Sequence, residues 1–193
     1  VESWMDRCKA PCNSSPSFKE PPIGLICKNQ KFIYNQGASD DDVDSLGRLQ
    51  DSLSYSFAKP LGNGPNDPLS YNGNYSYDKP LKFKGFPNKN IPFPWGFHLD
   101  KVTGDLKFVP TKKEVSVMAF KIDEYREVDG KQQKISQIRR DLQFFVIDCP
   151  NNQVPQITGM KCPKQDYYEE ICAGEKSTFS FCTSDPNQKD SVN

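Results

Sequence analysis

The stretch VSVMAFKIDEYREV (Val115–Val128), followed by Asp129-Gly130 and then by ISQIRRDLQFFVIDC (Ile135–Cys149), decides the fold. Asp-Gly between two strand-like runs predicts a tight hairpin, because glycine takes the positive φ angle that such a turn requires. Apolar side chains occupy both faces of the second run, with Leu142, Phe144 and Val146 on one face and Phe145 and Ile147 on the other. This pattern predicts a central strand that is covered on both sides.

Shorter runs of the same kind extend the prediction to the rest of the chain. They are Ile23–Cys27, Lys31–Asn35, Leu53–Ala58, Phe97–Leu99 and Leu106–Phe108. Residues 59–96 are rich in Pro, Gly, Asn and Tyr and predict a long irregular excursion. About seven short strands separated by turn residues indicate an all-β fold, an immunoglobulin-like or cadherin-like β-sandwich.

The charge balance and hydropathy exclude two classes of partner. Lys plus Arg and Asp plus Glu number 25 each, so the formal net charge is zero and there is no polybasic footprint for nucleic acid. No apolar run approaches the ~18 to 20 residues that span a bilayer. We therefore expect neither nucleic-acid binding nor membrane insertion.

The cysteines indicate an oxidising compartment. Seven are present, at positions 8, 12, 27, 149, 162, 172 and 182. None forms a CxxC pair, and His98 is the single histidine, so zinc spacing is absent and disulfides are the better interpretation. Since the number is odd, either one thiol is free or its partner lies outside this piece of chain, and we expect the latter.

Two stretches of the chain repeat the same features in the same order. In the first, Cys27 and Phe32 precede the acidic loop Ser39–Leu46; in the second, Cys172 and Phe179 precede Ser184–Val192. The cysteine-to-aspartate spacing is identical, and each loop ends in Asp-Ser and an aliphatic residue. Upstream, Cys12-Asn13 through Pro16 matches Cys149 through Pro155.

A period of domain size predicts tandem domains. We expect residues 1–11 to be the tail of a preceding repeat, 12–149 a complete sandwich, and 150–193 the N-terminal part of the next repeat. The recurrence suggests that Cys12 pairs with Cys27 and Cys149 with Cys172. Cys162 with Cys182 would then be an additional pair, and Cys8 would lack a partner.

Five short motifs in a fixed order carry a family resemblance. They are Ser39–Leu46, Leu99-Asp100 with Thr103–Leu106, Asp123–Arg126, Arg139–Phe144 and Val146–Cys149. Together they resemble the cadherin-like or PKD-like repeats of very large Bacteroidetes surface proteins, including the gliding-motility adhesin.

That resemblance implies a structural or adhesive module of a cell-surface adhesin, used in gliding motility or attachment and exported by the type IX route. Its expected partners are neighbouring repeats of the same chain, the type IX export machinery, and a surface glycan or protein. The alternative is a non-catalytic carbohydrate- or protein-binding accessory domain of a secreted enzyme.

The acidic loop is the best candidate for a metal site, and the resemblance makes calcium the expected ion. Asp40, Asp42 and Asp44 alternate along the loop, as calcium-binding loops do, and Glu124 is expected to complete the shell. The resemblance also implies that Asp185 and Asn187 of the next unit join Asp148 and Asn151-Asn152 at the junction between the units. The alternative is a solvated turn in which these side chains only cap the backbone.

No catalytic constellation emerges, so we expect the chain not to be an enzyme. His98 lies in a short strand without a Gly-x-Ser-x-Gly elbow, and Asp123 and Glu124 are adjacent in a strand and face opposite ways.

Two further groups each have a functional and a structural interpretation. Arg139, Arg140 and Asp141 either bind an anion or form cross-strand ion pairs. The aromatic residues of the excursion either form a recognition surface or cap the sandwich. They are Tyr71, Tyr75, Tyr77, Phe83, Phe86, Phe93, Trp95 and Phe97.

Overall fold

The computed structural model describes residues 2–64, 66–150, 152–153, 155–160, 170–178 and 180–187. The chain forms two compact units, Val1–Asp148 and Cys149–Asn193. The predicted all-β class is confirmed, since the described residues form strands and turns without a helix. Accordingly, this part of the chain contains no helix that could cross a membrane.

The described residues form twelve strands. They are β1 (Glu2–Met5), β2 (Ser17–Phe18), β3 (Ile23–Cys27), β4 (Phe32–Tyr34), β5 (Ala38–Ser39), β6 (Asp51–Ala58), β7 (Phe97–Leu99), β8 (Leu106–Phe108), β9 (Glu114–Val128), β10 (Lys131–Ile147), β11 (Gln156–Met160) and β12 (Phe181–Ser184).

The first unit packs a large sheet against two small ones. The large sheet has the order β1-β10-β9-β6, and β3 also pairs with β10, in parallel. The small sheets are β4-β8-β7 and the two-stranded ladder β2-β5. Strands β9 and β10 form the predicted hairpin, with φ of 53° at Asp129 and 72° at Gly130.

The main core lies between the large sheet and β4-β8-β7. Phe120 and Phe144 of the large sheet and Phe108 of the small one are fully buried. A second, smaller core of Tyr55, Ile122 and Ile138 lies under the β2-β5 ladder. Leu142, Phe144 and Val146 of β10 are buried, whereas Phe145 and Ile147 are half-buried, so one face of this strand is covered and the other only in part.

Some aromatic residues of the excursion are buried in the sandwich and others are exposed. Phe83 and Phe97 belong to the main core, and the hydroxyl of Tyr71 donates to the Val117 carbonyl at 2.7 Å. These side chains cap the sandwich. By contrast, Tyr77 and Trp95 keep 37% and 45% of their surface exposed.

The predicted disulfide pairing is wrong. Cys27 and Cys149 are bonded to each other, whereas Cys12 and Cys172 are free and exposed. The reason is the parallel pairing of β3 with β10, which sets Cys27 opposite Ile147, two residues before Cys149. Cys8 is free, as expected. Cys182 is in a disulfide, and its predicted partner Cys162 lies outside the described residues.

The N-terminal segment is part of the first unit. Residues 1–11 were assigned to a preceding repeat, but β1 pairs antiparallel with β10, with Glu2 opposite Arg139. The predicted boundary between the two units near residue 149 coincides with the division at Asp148.

Candidate metal centre

The acidic loop reaches the large sheet because β5 precedes it and β6 follows it. Asp40 comes directly after β5, and Asp51 begins β6. In the β6-β9 pairing, Asp51 lies opposite Arg126. Glu124 lies two residues before Arg126 on β9 and therefore points to the same face. One loop and two strands thus converge at this end of the sandwich.

Four carboxylates meet there. Asp40, Asp42, Asp51 and Glu124 each offer an oxygen, and these four atoms all lie within 4.8 Å of one another. This cluster could hold a metal ion, because hard divalent cations bind carboxylate oxygens.

Arg126 neutralises part of the cluster. Its Nε donates to Asp51 Oδ1 at 2.6 Å, and one terminal nitrogen donates to Asp51 Oδ2, to Asp42 Oδ2 at 2.9 Å and to Asn13 Oδ1 at 2.7 Å. The Asp51 side chain is 1% exposed, so this fork supplies the counter-charge that a buried carboxylate needs.

Glu124 is the most deeply buried member, with no exposed surface. Its Oε2 accepts hydrogen bonds from Ser136 Oγ and from Asn13 Nδ2, the latter at 3.1 Å. A β-bulge between Lys134 and Ser136 places the Ser136 hydroxyl at this point. The pKa of Glu124 is raised to about 7, chiefly by burial. The negative charges of Asp40 and Asp51 also raise it, whereas the two hydrogen bonds lower it.

Asp40 and Asp42 have opposite electrostatic settings. Burial, with the nearby charges of Asp42 and Asp51, raises the pKa of Asp40 above its ordinary value. Burial also acts on Asp42, but hydrogen bonds from Ser14 and Arg126 outweigh it and hold the pKa of Asp42 below its ordinary value. The Ser14 hydroxyl and amide reach Asp42 at 2.6 and 3.0 Å.

Two oxygens of the cluster lack a partner. Asp40 Oδ2 and Glu124 Oε1 are buried, and neither accepts a hydrogen bond. With all groups ionised, four carboxylates and one guanidinium leave a formal charge of −3. A divalent cation would supply both the missing charge and the missing contacts of these oxygens, so the residues present fit a metal ion.

The predicted ligands are only partly brought together. Asp40, Asp42 and Glu124 converge as expected. Asp44 is used in its own turn, where it accepts from the amides of Leu46 and Arg48 and pairs with the Arg48 guanidinium at 2.7 Å. Asp51 was missed, since only the register of β6 against β9 brings it to the cluster.

Asp185 lies in the second unit, where the turn of the first unit recurs. Asp42 N donates to Asp40 Oδ1 at 3.0 Å, and Asn187 N donates to Asp185 Oδ1 at 2.8 Å. Likewise, Ser14 N donates to Asp42 Oδ2 at 3.0 Å, and Gln153 N donates to Asn187 Oδ1 at 2.7 Å.

The strand pairing beside these turns recurs as well. Ser17 pairs with Ser39 in the β2-β5 ladder, and Gln156 pairs with Ser184 between β11 and β12. Each pair has the same sequence distance to its turn residues. Asp185 therefore occupies the position of Asp40, and Asn187 that of Asp42.

His98 and Asp123 each have a structural partner. His98, in β7, donates from Nε2 to the Trp95 carbonyl at 2.8 Å. Asp123 faces away from Glu124 and pairs with Lys134 at 2.6 Å.

Comparisons with known proteins do not identify a family for this chain. No protein-family model matches the chain, and no curated protein matches its sequence. Among solved structures, a candidate alpha-galactosidase from Bacteroides fragilis is similar over 68% of this chain and 17% of its own, at 14% identity and a TM-score of 0.34. A similarity at that TM-score establishes neither a shared fold nor a shared function.

Proposed function

We propose that this chain is a structural or adhesive module of a very large extracellular surface protein built from tandem β-sandwich repeats. The observation that carries the proposal is the recurrence of the β2-turn-β5 arrangement in the second unit, with the same pairing register and the same two side-chain hydrogen bonds. Repetition at domain length is typical of proteins that span distance. The chain also holds a disulfide, as exported proteins often do, which supports the extracellular location.

The position of the disulfide suits a module that carries tension. A pull on both ends of the first unit passes along residues 2–27 and then through the Cys27–Cys149 bond. Residues 28–148, with both long strands, lie outside that path. The covalent bond bears a force that would otherwise separate the hydrogen-bonded strands.

Calcium is the ion we propose for the acidic cluster, with Asp40, Asp42, Asp51 and Glu124 as ligands. The proposal is supported by the two unpartnered buried oxygens and by the all-oxygen donor set, which suits a hard cation. A cation there would hold the loop of residues 40–44 to β6 and β9. Gliding motility, type IX export and a passive, non-catalytic role are parts of the same proposal.

Single-molecule stretching tests the mechanical role. With the disulfide intact, unfolding of the first unit should release at most roughly 90 Å of chain, from about 26 residues. After reduction, the release should rise to roughly 500 Å, because all of residues 2–148 then extend. Equal extensions before and after reduction would contradict the proposed load path.

The alternative, an accessory domain that binds carbohydrate or protein, is distinguished by a ligand site. One cavity of the first unit is lined by cations, an aromatic ring and apolar side chains, as such a site requires.

A further inference from the structure

A cavity of about 530 Å³ lies on the outer face of the large sheet, where the loop after β6 folds over β9 and β10. Cations, an aromatic ring and apolar side chains line it together. The lining includes Lys59, Leu61, Pro68, Tyr77, Lys121 and Arg139. Its volume is within the range of small-molecule sites. We call it the basic cavity.

Two of its cations face each other at a cost to stability. Lys121 of β9 lies directly opposite Arg139 of β10 in the strand register. Like charges in directly opposed positions destabilise a sheet, so this pair needs a compensating negative charge.

The acidic neighbours compensate only in part. Asp123 lies 3.5 Å from Lys121 but is held more closely by Lys134, at 2.6 Å. Glu2 lies 3.2 Å from a terminal nitrogen of Arg139. Asp141, on the far side of Arg139, lines the adjacent hollow with Glu2.

Several polar groups of the basic cavity remain without a partner. Arg139 Nε is buried and donates to no acceptor. Lys59 is exposed and forms no ion pair with any described residue, and the Tyr77 hydroxyl makes no hydrogen bond within the same part of the chain. Cations and a hydroxyl around one space, with fewer acidic partners than donors, favour an anionic ligand that carries hydrogen-bonding groups.

We propose that the basic cavity binds a sugar that carries a carboxylate or a sulfate. Its anionic group would lie between the side chains of Lys121 and Arg139, where it relieves their repulsion. The sugar ring would pack against Tyr77 and the apolar side chains of Leu61 and Pro68, since a pyranose combines a C–H face with hydroxyl groups. This inference goes beyond the proposed function, because such binding is measurable whatever the role of the parent protein.

The test is a titration of the whole chain, labelled with ¹⁵N and followed by amide chemical shifts. The probes are glucuronate, glucose 6-sulfate, glucose, acetate and a triglutamate peptide. Glucuronate or glucose 6-sulfate, or both, should shift the amides of Lys121 and Arg139 and bind about tenfold more tightly than glucose, because a charge-assisted hydrogen bond is lost in the neutral sugar. The stronger of the two identifies the anionic group.

Variants separate binding from folding. Lys121→Gln and Arg139→Gln should each weaken binding of the charged sugar by about tenfold. Lys121→Gln should leave the melting temperature unchanged or raise it, since it removes a like-charge contact. Lys131→Gln, an exposed change on the same strand as Arg139, is the matched control and should bind as the parent does.

Three results would overturn the proposal. The first is equal affinity for charged and neutral sugars, or no shift with any probe. The second is acetate or triglutamate binding as well as the charged sugars, which would make the cavity a general anion or acidic-peptide site. The third is a Lys121→Gln variant that folds and binds as the parent does.

Discussion

The β2-β5 ladder of the first unit and the β11-β12 ladder of the second have the same register and turn hydrogen bonds but different surroundings. Phe18 of β2 packs on the small core of Tyr55, Ile122 and Ile138. Its equivalent in β11, Ile157, is 65% exposed. The ladder and its turn are therefore present both with and without a covering core, and in the first unit the cover comes from strands far along the chain.

The largest effect is expected from the disulfide, which distinguishes Cys27 from its equivalent, the free Cys172. Changing Cys27 and Cys149 together to Ser should lower the free energy of unfolding of the first unit by about 4 to 5 kcal/mol, because the bond closes a loop of some 120 residues. Both tryptophans, Trp4 and Trp95, lie in the first unit, so their fluorescence during denaturation reports on it alone. Cys172→Ser is the control and should change nothing. A decrease in the free energy of unfolding of less than about 1 kcal/mol would mean that the sheet holds positions 27 and 149 together without the disulfide.

The next effect compares the two equivalent apolar residues. Phe18→Ala should cost about 2 to 3 kcal/mol, because it opens the small core and removes the ring that lies 4.3 Å from the Arg140 guanidinium. Ile157→Ala should cost less than about 0.5 kcal/mol, since its side chain is already in water. Denaturation followed by far-ultraviolet circular dichroism measures both. Similar costs would show that β11 is covered as β2 is.

The third prediction concerns Glu124, for which the second ladder supplies no counterpart. Its pKa of about 7 lies above the ordinary 4.5, so the folded chain keeps a proton that the unfolded chain releases. In the presence of a chelator, stability should therefore fall as pH rises from about 4.5 to 7, by an amount on the order of 2 kcal/mol. Glu124→Gln should flatten this dependence. A wild-type profile that rises over this interval would contradict the burial of this carboxyl.

Calcium should oppose that loss. A metal ion competes with the proton for Glu124, so added calcium should raise the melting temperature more at pH 7.5 than at pH 5. Glu124→Gln and Asp40→Asn should each reduce the gain. If calcium raises the melting temperature equally in the parent and in both variants, the turn is capped by its own hydrogen bonds and does not bind the metal.

A small gain in stability is expected at Gln36, whose equivalent in the second unit is Phe181. Gln36 is fully buried, and neither atom of its amide has a partner. Gln36→Met should raise the free energy of unfolding by about 1 kcal/mol, because it removes two unsatisfied polar groups while keeping the volume. Destabilisation instead would show that the amide is hydrogen-bonded in solution.

The sequence predicted what depends on neighbours along the chain. Strand β3 has the predicted bounds, and the Asp129-Gly130 turn follows from glycine chemistry. The acidic turn was found because its residues are close in sequence. Its Arg126 counter-ion and Asp51 were missed, because they join it only through the β6-β9 register.

The disulfide was missed for the same reason. Recurrence suggested local pairs, but the parallel contact between β3 and β10 joins residues more than a hundred positions apart. No pattern in one sequence marks such a contact.

We propose that the second unit opens a repeat built like the first, in which Cys172 bonds to a cysteine one domain further on, as Cys27 bonds to Cys149. The most direct test extends the chain after Val192 with a second copy of residues 47–149 and maps its disulfides by mass spectrometry under non-reducing conditions. The repeat account predicts a bond between Cys172 and the added copy of Cys149, with Cys8 and Cys12 remaining thiols. A Cys172 thiol that stays free and reactive in the folded, extended chain would contradict it.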